Sequence, residues 1–279
     1  MHRRLIIRPG AIGDFILSLP AMERLRTDYL EVWASTQNLP LARFAERTRS
    51  IASIRLDMLE IDPPARLVQE LRGFDSIVSW YGSARQEFRD TVQALGLPFQ
   101  FFTAIPPENC GMHAADFYLR QVCTQAQEPA IPRIECGMPK PDDASGFAVI
   151  HPFSGSPKKC WPFERYRALA QRLEATMPVR WCLGPEDRLP ETQAAAVMRI
   201  DDLYELACWL AAARVFIGND SGITHLAAAA GTRVVALFGP TDPDVWAPRG
   251  PNVCVIAKPA LDQIQVDDVA AAVLGIAGS

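Results

Sequence analysis

The sequence has no apolar run as long as the roughly 20 residues that a helix needs to span a bilayer. A short apolar run near residue 1 is interrupted by Arg8, Pro9 and Asp14, which argues against a secretory signal peptide. We therefore expect a cytoplasmic protein whose contact with a membrane, if there is any, is peripheral. The first 55 residues hold nine arginines and five acidic residues, which suits an anionic acceptor or a membrane surface. Scattered, solvated arginines explain the same excess equally well.

Patterns typical of disulfides and metal sites are also missing. The seven cysteines form no C-x-x-C pair, and several lie in apolar runs, as Cys182 and Cys254 do. We therefore expect reduced cysteines in the core, and neither disulfides nor zinc ligands. No pair of carboxylates is placed to hold another metal, so we expect no metal and no cofactor.

Two classes of function find no support in the sequence. It contains no G-x-G-x-x-G fingerprint, so nothing indicates a nicotinamide-dependent oxidoreductase. The net charge of −4 argues against a general nucleic-acid-binding protein. With 49% hydrophobic and 22% charged residues, the 279-residue chain has the composition and length of two ordinary globular domains.

Short apolar segments alternate with segments of helical periodicity along most of the chain. This alternation is typical of parallel sheets with crossover helices, so we predict an α/β fold. The predicted strands are 5–7, 32–34, 53–56, 76–80, 147–150, 179–183, 215–217 and 234–238. The first predicted helix follows residue 14 and has Pro20 in the first turn of its main part. The other predicted helices are 41–48, 65–72, 113–125, 163–175, 202–212, 224–230 and 266–274. A Pro-, Asp- and Gly-rich segment, 127–145, is interpreted as a linker, which divides the chain into Rossmann-like domains 1–135 and 136–279.

The end of the predicted strand 215–217 carries a group of polar residues that leads into an alanine-rich helix. Open parallel sheets bind ligands at the carboxyl ends of their strands, and a helix N-terminus at that edge favours phosphate. Ser221 and Thr224 can donate hydroxyls, and His225 can add charge. The group consists of Asn219, Asp220, Ser221, Gly222, Thr224 and His225. The alternative is a Ser or Asp N-cap, with His225 as an ordinary helix residue.

Two further strand ends of the second domain carry charged residues. Lys158 and Lys159 lie in a Gly/Ser turn after the strand 147–150, and Glu186 follows the strand 179–183. A lysine beside a small-residue turn suits a diphosphate, and a carboxylate can accept ribose hydroxyls. Two exposed loop lysines are the alternative. The three strand ends together predict a site for a nucleotide diphosphate.

The first domain contains a candidate for acid–base chemistry. Asp14 follows a turn after the first strand, and Gly10 and Gly13 are predicted to form that turn. A carboxylate at this edge can take a proton from an attacking hydroxyl. The alternative is a simple N-cap for the next helix.

Four segments of the sequence together form a recognisable pattern. They are LIIRPGAIGDFILSLPAMERLR (from Leu5), HAADFYL (from His113), HPFSGSPKKCWPFERYRALA (from His151) and GNDSGITHLAAAAGTRVVALFGPTDPDVWAP (from Gly218). These segments resemble those of glycosyltransferase family nine, the ADP-heptose:lipopolysaccharide heptosyltransferases, and they occur in the family's order. The resemblance implies a GT-B fold, in which two Rossmann-like domains face each other across a central cleft. It also implies inverting, metal-independent transfer of a sugar, typically heptose, from a nucleotide donor such as ADP-heptose to a lipid-linked or polysaccharide acceptor such as lipopolysaccharide core. The donor is a substrate, and no nucleic acid takes part.

The same resemblance assigns roles to residues. Asp14 is the general base on the acceptor hydroxyl, and Lys159 binds donor phosphate. Glu186 corresponds to the acid near the nucleoside, whereas Asp220, Ser221, Gly222 and His225 line the diphosphate. Asp220 is interpreted as orienting Lys159 or a sugar hydroxyl.

The chain is shorter than typical members of this family, mainly in the N-terminal half that binds the acceptor, so the sugar and the acceptor stay open. One alternative is a degenerate GT-B protein that binds a nucleotide or a glycan without catalysis. Another is a nucleotide-sugar hydrolase or epimerase, although such epimerases use more acids and histidines in the cleft. The chain has only four histidines. Apart from His225, His151 is the one candidate for a catalytic histidine, and a role in the core or a turn is favoured for it.

Overall fold

The structure is a computed structural model that describes residues 1–108, 110–125, 129–137, 146–189 and 196–277. The chain forms two compact units, Met1–Ala130 (unit 1) and Ile131–Ser279 (unit 2). This division precedes the predicted one, after residue 135, by five residues. Part of the predicted linker, including residues 138–145, lies outside the described residues.

Unit 1 is built on a parallel five-stranded sheet with the strand order β3-β2-β1-β4-β5. The central strand is buried from Leu5 onwards because both of its faces are covered, as is usual in parallel sheets. Its Ile6 pairs with Val32 on one side and with Val78 on the other. The strands are β1 Arg3–Arg8, β2 Tyr29–Ala34, β3 Arg47–Ser50, β4 Ser76–Ser79 and β5 Phe99–Phe101.

The described part of unit 1 also contains seven α-helices and a 3-10 helix, of which all but the last α-helix connect strands of this sheet. The helices are α1 Ile12–Leu17, α2 Leu19–Arg24, α3 Ile51–Ile54, α4 Met58–Ile61, α5 Ala65–Leu71, α6 Gln86–Ala94 and α7 Ala114–Val122, with the 3-10 helix at Thr36–Leu41. Pro20 lies in the first turn of α2, which confirms the predicted start of the main part of that helix.

Two predicted elements of unit 1 were wrong. The predicted helix 41–48 is a turn that leads into β3, and the predicted strand 53–56 overlaps α3. β3 is a polar edge strand, Arg-Thr-Arg-Ser, so it lacks the apolar alternation that marks a strand. The apolar residues Ile51 and Ile54 are three positions apart, which is helical spacing.

Unit 2 is built on a parallel six-stranded sheet with the strand order β11-β10-β9-β6-β7-β8. The strands are β6 Ala148–His151, β7 Val179–Cys182, β8 Val197–Met198, β9 Val215–Asn219, β10 Val234–Phe238 and β11 Val253–Ala257. The helices are α8 Phe163–Leu173, α9 Leu203–Ala211, α10 Gly222–Ala229, α11 Pro243–Trp246 and α12 Val266–Ala277, with 3-10 helices at Pro157–Lys159 and Leu261–Gln263.

One face of this sheet packs against α8 and α12 to form a core that contains Trp161, Tyr166 and Trp181. All seven cysteines of the chain are free thiols. Cys182 is buried, as predicted, but the other six are half-buried, so the expectation of core cysteines was wrong for them. Among the described helices, none is long and apolar enough to cross a membrane.

Candidate functional site

Three neighbouring strands of unit 2 bring the predicted donor-binding segments to one edge of the sheet. β9 lies beside β6, and β6 lies beside β7, all in parallel. The carboxyl ends of these strands therefore point the same way, which is where open α/β sheets bind ligands. The lysine-bearing turn follows β6, the turn that contains Glu186 follows β7, and α10 follows β9.

Lys159 and Asp220 form an ion pair between two of these segments. The Lys159 Nζ donates to Asp220 Oδ2 at 2.7 Å. The lysine side chain is 37% exposed and the aspartate side chain 10% exposed. An ammonium group has three donors, so this pairing leaves capacity for a ligand oxygen. The contact agrees with the interpretation of Asp220 as a residue that orients Lys159.

Asn219, which the sequence reasoning counted among the polar residues at this strand end but gave no role, fixes the lysine-bearing segment to the end of β9. It is fully buried; its Oδ1 accepts from the Trp161 main-chain N–H and the Tyr166 hydroxyl, each at 2.9 Å. Its Nδ2 donates to the Pro152 main-chain oxygen at 2.9 Å. A buried Asn at the end of an apolar strand was the available signal, because buried amides are almost always hydrogen-bonded.

Ser221 is the N-cap of α10, so the capping interpretation is correct for this residue. Its hydroxyl accepts from the Thr224 main-chain N–H at 3.3 Å. Thr224 is fully buried and its hydroxyl donates to the Asn219 main-chain oxygen, so this hydroxyl serves the turn. His225 is buried and Gly222 is half-buried. The first N–H groups of α10 have no partner within the helix, so an anion can bind there.

The turn after β7 is closed by Asp187 and leaves Glu186 in solvent. The Gly184 main-chain N–H donates to Asp187 Oδ2 at 2.7 Å, and the Arg199 guanidinium donates to the Asp187 main-chain oxygen at 2.7 Å. Glu186 is exposed, and among the described residues its carboxylate forms no hydrogen bond or ion pair. The structure therefore brings Lys159 and Asp220 together but does not bring Glu186 into contact with them.

His151, at the end of β6, has a core role. Its Nδ1 lies 3.0 Å from the Cys182 main-chain oxygen, and its ring packs edge-on against Phe153. Burial lowers the pKa of His151, an effect that the hydrogen bond to Cys182 and the nearby Asp187 charge oppose. Burial also raises the pKa of the Cys182 thiol to about 12. Neither side chain is placed for acid–base catalysis near neutral pH.

In unit 1, Asp14 lies in the first turn of α1 but is not its N-cap. The N-cap is Ala11, which makes no side-chain capping bond. In the described part of the chain, the Asp14 carboxylate forms no hydrogen bond or ion pair, and the residue is half-buried. The fold therefore makes no visible use of this carboxylate, which stands at the carboxyl end of β1.

Of the two glycines predicted to form the turn before α1, Gly10 forms it and Gly13 does not. Gly10 has φ +120°, and a Cβ added to it would lie 3.3 Å from Asp14 Cβ and 3.4 Å from its Oδ2. A side chain at this position would therefore crowd Asp14. Gly13 lies inside α1, so its assignment to the turn was wrong. The helix begins at Ile12, directly after the extended Ala11, and thus earlier than predicted.

A buried arginine supports the Asp14 segment. Arg8 is 1% exposed, and its guanidinium donates to the Ser18 hydroxyl and the Asp14 main-chain oxygen, each at 3.0 Å. It also lies over the ring of Tyr118, with Cζ 4.7 Å from the ring centroid. Burial raises the pKa of Tyr118, and the Asp14 charge adds to this effect while Arg8 opposes it. An arginine directly after an apolar strand was the available signal.

The two sets of residues differ in what they can do. The ion pair and the helix N-terminus of unit 2 suit a bound phosphate, and the Asp14 carboxylate of unit 1 can accept a proton. Among the described residues, no group of three or more His, Cys, Asp or Glu could hold a metal ion.

Comparison with curated proteins identifies lipopolysaccharide heptosyltransferases as relatives. Lipopolysaccharide heptosyltransferase 2 of Escherichia coli (strain K12) is 30% identical over 116 residues, which are 36% of this chain and 32% of that protein. Lipopolysaccharide heptosyltransferase 1 of the same strain is 27% identical over 138 residues, 47% of this chain and 43% of that protein. The matched stretches thus span less than half the length of these relatives.

Comparison with solved structures extends over almost the whole chain. The glycosyl transferase family 9 protein from Veillonella parvula DSM 2008 has a TM-score of 0.78 at 17% identity, covering 99% of this chain and 97% of that one. The E. coli ADP-heptose lps heptosyltransferase II has a TM-score of 0.74 at 17% identity, covering 99% and 98%. These likenesses show the fold and confirm the predicted α/β, GT-B class.

The model of the family described as "Glycosyltransferase family 9 (heptosyltransferase)" matches residues 115–269, more than half of the chain. The chain therefore belongs to glycosyltransferase family 9.

Proposed function

We propose that this protein is an inverting glycosyltransferase that moves a sugar from a nucleotide-diphosphate donor to a saccharide acceptor. Heptose from ADP-heptose is the first candidate donor, and lipopolysaccharide core is the first candidate acceptor. Family membership and the names of the relatives support this choice. A solved structure of a heptosyltransferase with ADP also supports it, with a TM-score of 0.71 at 18% identity. The donor is a substrate, no metal or cofactor is included, and transfer takes place on the cytoplasmic side of the inner membrane.

The observation that carries the proposal is the Lys159–Asp220 ion pair beside the start of α10. Asp220 holds the lysine at 2.7 Å, one residue before the N-cap Ser221. A pre-positioned cation and a helix N-terminus both stabilise negative charge on a diphosphate. When the sugar leaves, that charge increases, so these groups stabilise the transition state more than the bound donor. Gly222 lets the phosphate approach the backbone, and His225 lies within the same first turn of α10.

The remaining assigned residues take supporting roles in this proposal. Glu186 extends from an exposed turn, where it can reach ribose hydroxyls. Asp14 takes the proton of the attacking acceptor hydroxyl, since its carboxylate makes no other hydrogen bond in the described part of the chain. Inversion follows from direct attack on the anomeric carbon, without a glycosyl-enzyme intermediate.

Calorimetry with ADP, UDP and GDP tests the donor site. We expect the wild-type protein to bind ADP best, and Lys159→Ala to bind it at least tenfold more weakly, because a charge-assisted contact contributes about 1.5–3 kcal/mol. The matched control is Lys158→Ala, which removes an exposed lysine from the adjacent position. Equal weakening by both substitutions would contradict a specific role of Lys159.

Turnover of ADP-heptose, measured as ADP release with a lipopolysaccharide-core acceptor, tests the transferase. Loss of a general base slows chemistry by roughly 10²–10⁴-fold, so we expect that loss in Asp14→Asn, with ADP affinity unchanged. Wild-type protein that binds ADP but turns over no sugar nucleotide would favour the non-catalytic binding protein instead. Preference for UDP or GDP would retain the mechanism and exclude ADP-heptose as the donor.

A further inference from the structure

Unit 1 contains a cavity of about 720 Å³ that is lined by arginines. It lies beside the edge strand β3 and is bounded by α3, the start of α4 and α5. Its volume falls within the range of about 300–1,000 Å³ that small-molecule sites occupy. The arginines that line it are Arg47, Arg49, Arg55 and Arg66. None of its lining residues belongs to the Asp14 segment.

The charge of these arginines is only partly compensated. Arg47 and Arg49 are two positions apart on β3 and so share one face of the sheet. Arg49 pairs with Glu70, which is the one acidic residue of the lining. Arg47 lies 3.8 Å from Glu31 Oε2, a separation longer than a hydrogen bond, and its side chain is 56% exposed.

Arg55 and Arg66 supply the uncompensated charge. Both are exposed, and neither forms an ion pair in the described part of the chain. Among the described residues, the guanidinium of Arg55 approaches only the sulfur of Met58, at 4.0 Å. Two of the four lining arginines are therefore available to an anion.

The backbone at Arg55 is unusual. Its φ of 58° and ψ of 46° place it in the left-handed region, and it is the only described non-glycine residue with positive φ. Glycine or asparagine ordinarily ends a helix in this conformation, because a longer side chain is disfavoured there. The fold alone does not require an arginine at this position, whereas an anion in the cavity would make use of its charge.

Part of the lining is apolar, and one of its arginines is fixed in advance. Ile54 and Leu67 are buried, and Arg49 lies over the ring of Trp33 with Cζ 5.2 Å from the centroid. Planar guanidinium groups donate in pairs to phosphate oxygens, and a pre-oriented arginine loses less entropy on binding. We propose that this cavity binds a phosphate monoester group, whose carbon-containing part lies against the apolar lining. The inference concerns unit 1 alone and does not depend on the proposed function.

Binding is tested in the full chain with the Lys159→Ala substitution, so that phosphate bound at the donor site is not counted. The soluble probes are inorganic phosphate and glucose 1-phosphate, titrated by calorimetry at constant ionic strength. The membrane probe is a phosphatidylcholine vesicle with and without phosphatidic acid, whose headgroup is a phosphate monoester. Thermal unfolding of each variant verifies that it is folded.

The cavity variant is Arg55→Gln/Arg66→Gln. Its matched control is Arg24→Gln/Arg26→Gln, which removes the same charge from exposed positions of unit 1 outside the cavity. We expect the cavity variant to bind a phosphate probe at least tenfold more weakly than its parent, and the control to remain within twofold.

The outcomes separate the sources of the phosphate. Binding of a soluble probe that is lost in the cavity variant supports the site and indicates a soluble ligand. Binding only to vesicles with phosphatidic acid, also lost in the cavity variant, supports the site and indicates a lipid headgroup. No binding to any probe, or equal weakening in the cavity variant and the control, would overturn the proposal, because the arginines would then be a solvated charged surface.

Discussion

At the scale of single residues, buried polar side chains fix the strand ends of unit 2. Asn219 joins β9 to the Lys159 segment through three hydrogen bonds, and His151 joins the ends of β6 and β7. Each of these groups is removed from water, so each depends on its partner for stability. The position of Lys159 is therefore a property of the buried residues around it as much as of the lysine itself.

The buried His151 makes the stability of unit 2 depend on pH. Burial lowers its folded-state pKa below the ordinary value of 6.5, so the unfolded chain binds a proton that the folded chain does not. Stability from neutral His151 is therefore present above pH 6.5 and is lost as the pH falls below it. The free energy of unfolding should fall by at most about 1.4 kcal/mol per pH unit from this group alone, until the pH reaches the folded-state pKa.

Urea unfolding of wild type and His151→Asn between pH 8 and pH 5 measures this dependence. We expect the free energy of unfolding of the wild type to fall more steeply below pH 6.5 than that of the variant, by at most the slope that corresponds to one proton. His2→Asn is the matched control, because His2 is exposed and its ring forms a hydrogen bond with the hydroxyl of the half-buried Ser76 rather than with a buried group. Equal slopes in wild type and His151→Asn would show that His151 does not control this transition.

Sequence reasoning identified charged site residues better than the buried residues that position them. Lys159 and Asp220 could be predicted because polar residues after a strand are visible in the sequence alone. Asn219 and Trp161 are joined across 58 positions, and their contact follows only from the pairing of β6 with β9. Asp187, which closes the turn, was overlooked in favour of the adjacent, exposed Glu186.

At the scale of elements, two helices of unit 2 begin with the same kind of cap but differ in their position relative to the candidate donor site. Ser221 caps α10 at that site, and Asp202 caps α9 by accepting from the Tyr204 and Glu205 N–H groups at 2.8 Å and 3.0 Å. Loss of either cap leaves helix N–H groups without a partner and costs about 1 kcal/mol. Substitution of each cap in turn therefore distinguishes an effect on stability, which both should show, from an effect on ligand binding, which only the cap at the donor site should show.

We expect Ser221→Ala and Asp202→Ala to lower the free energy of unfolding by similar amounts, about 1 kcal/mol each. Only Ser221→Ala should weaken ADP binding, by about fivefold, since a neutral hydrogen bond contributes about 1 kcal/mol. Urea unfolding and calorimetry measure the two effects on the same samples. Unchanged ADP affinity in Ser221→Ala would argue against a diphosphate at the start of α10.

The central strands were predictable and the edge elements were not. β1, β6, β9 and β10 are buried on both faces and appear in the sequence as short apolar runs. β3 is polar, and β11 is an edge strand with alternating exposure. Their assignment depends on pairing with a neighbour, which local periodicity does not contain.

At the scale of the whole molecule, the family signal and the units do not coincide. The family model matches residues 115–269, which include most of unit 2 and, from unit 1, mainly α7. The likeness in structure, by contrast, covers 99% of the chain. Unit 1 therefore keeps the fold, although the family model matches little of it beyond α7. We expect acceptor specificity to lie in unit 1, because the proposed donor contacts are all in unit 2.

Unit 2 should fold and bind nucleotide without unit 1. It has its own six-stranded sheet and its own buried core, and the Lys159, Asp220 and Ser221 contacts are all internal to it. A chain of residues 131–279 is long enough to bury such a core. We expect it to unfold cooperatively and to bind ADP within about threefold of the full chain, since no donor contact is removed.

Urea unfolding and calorimetry of this fragment check both expectations, with Lys159→Ala in the fragment as the control for specific binding. A cooperative transition without ADP affinity would mean that residues 1–130 supply part of the donor site. Absence of a cooperative transition would mean that the core of unit 2 needs residues 1–130 to be stable. Retention of both properties, with ADP affinity lost in Lys159→Ala, would assign donor binding to unit 2 and leave Asp14 and the acceptor to unit 1.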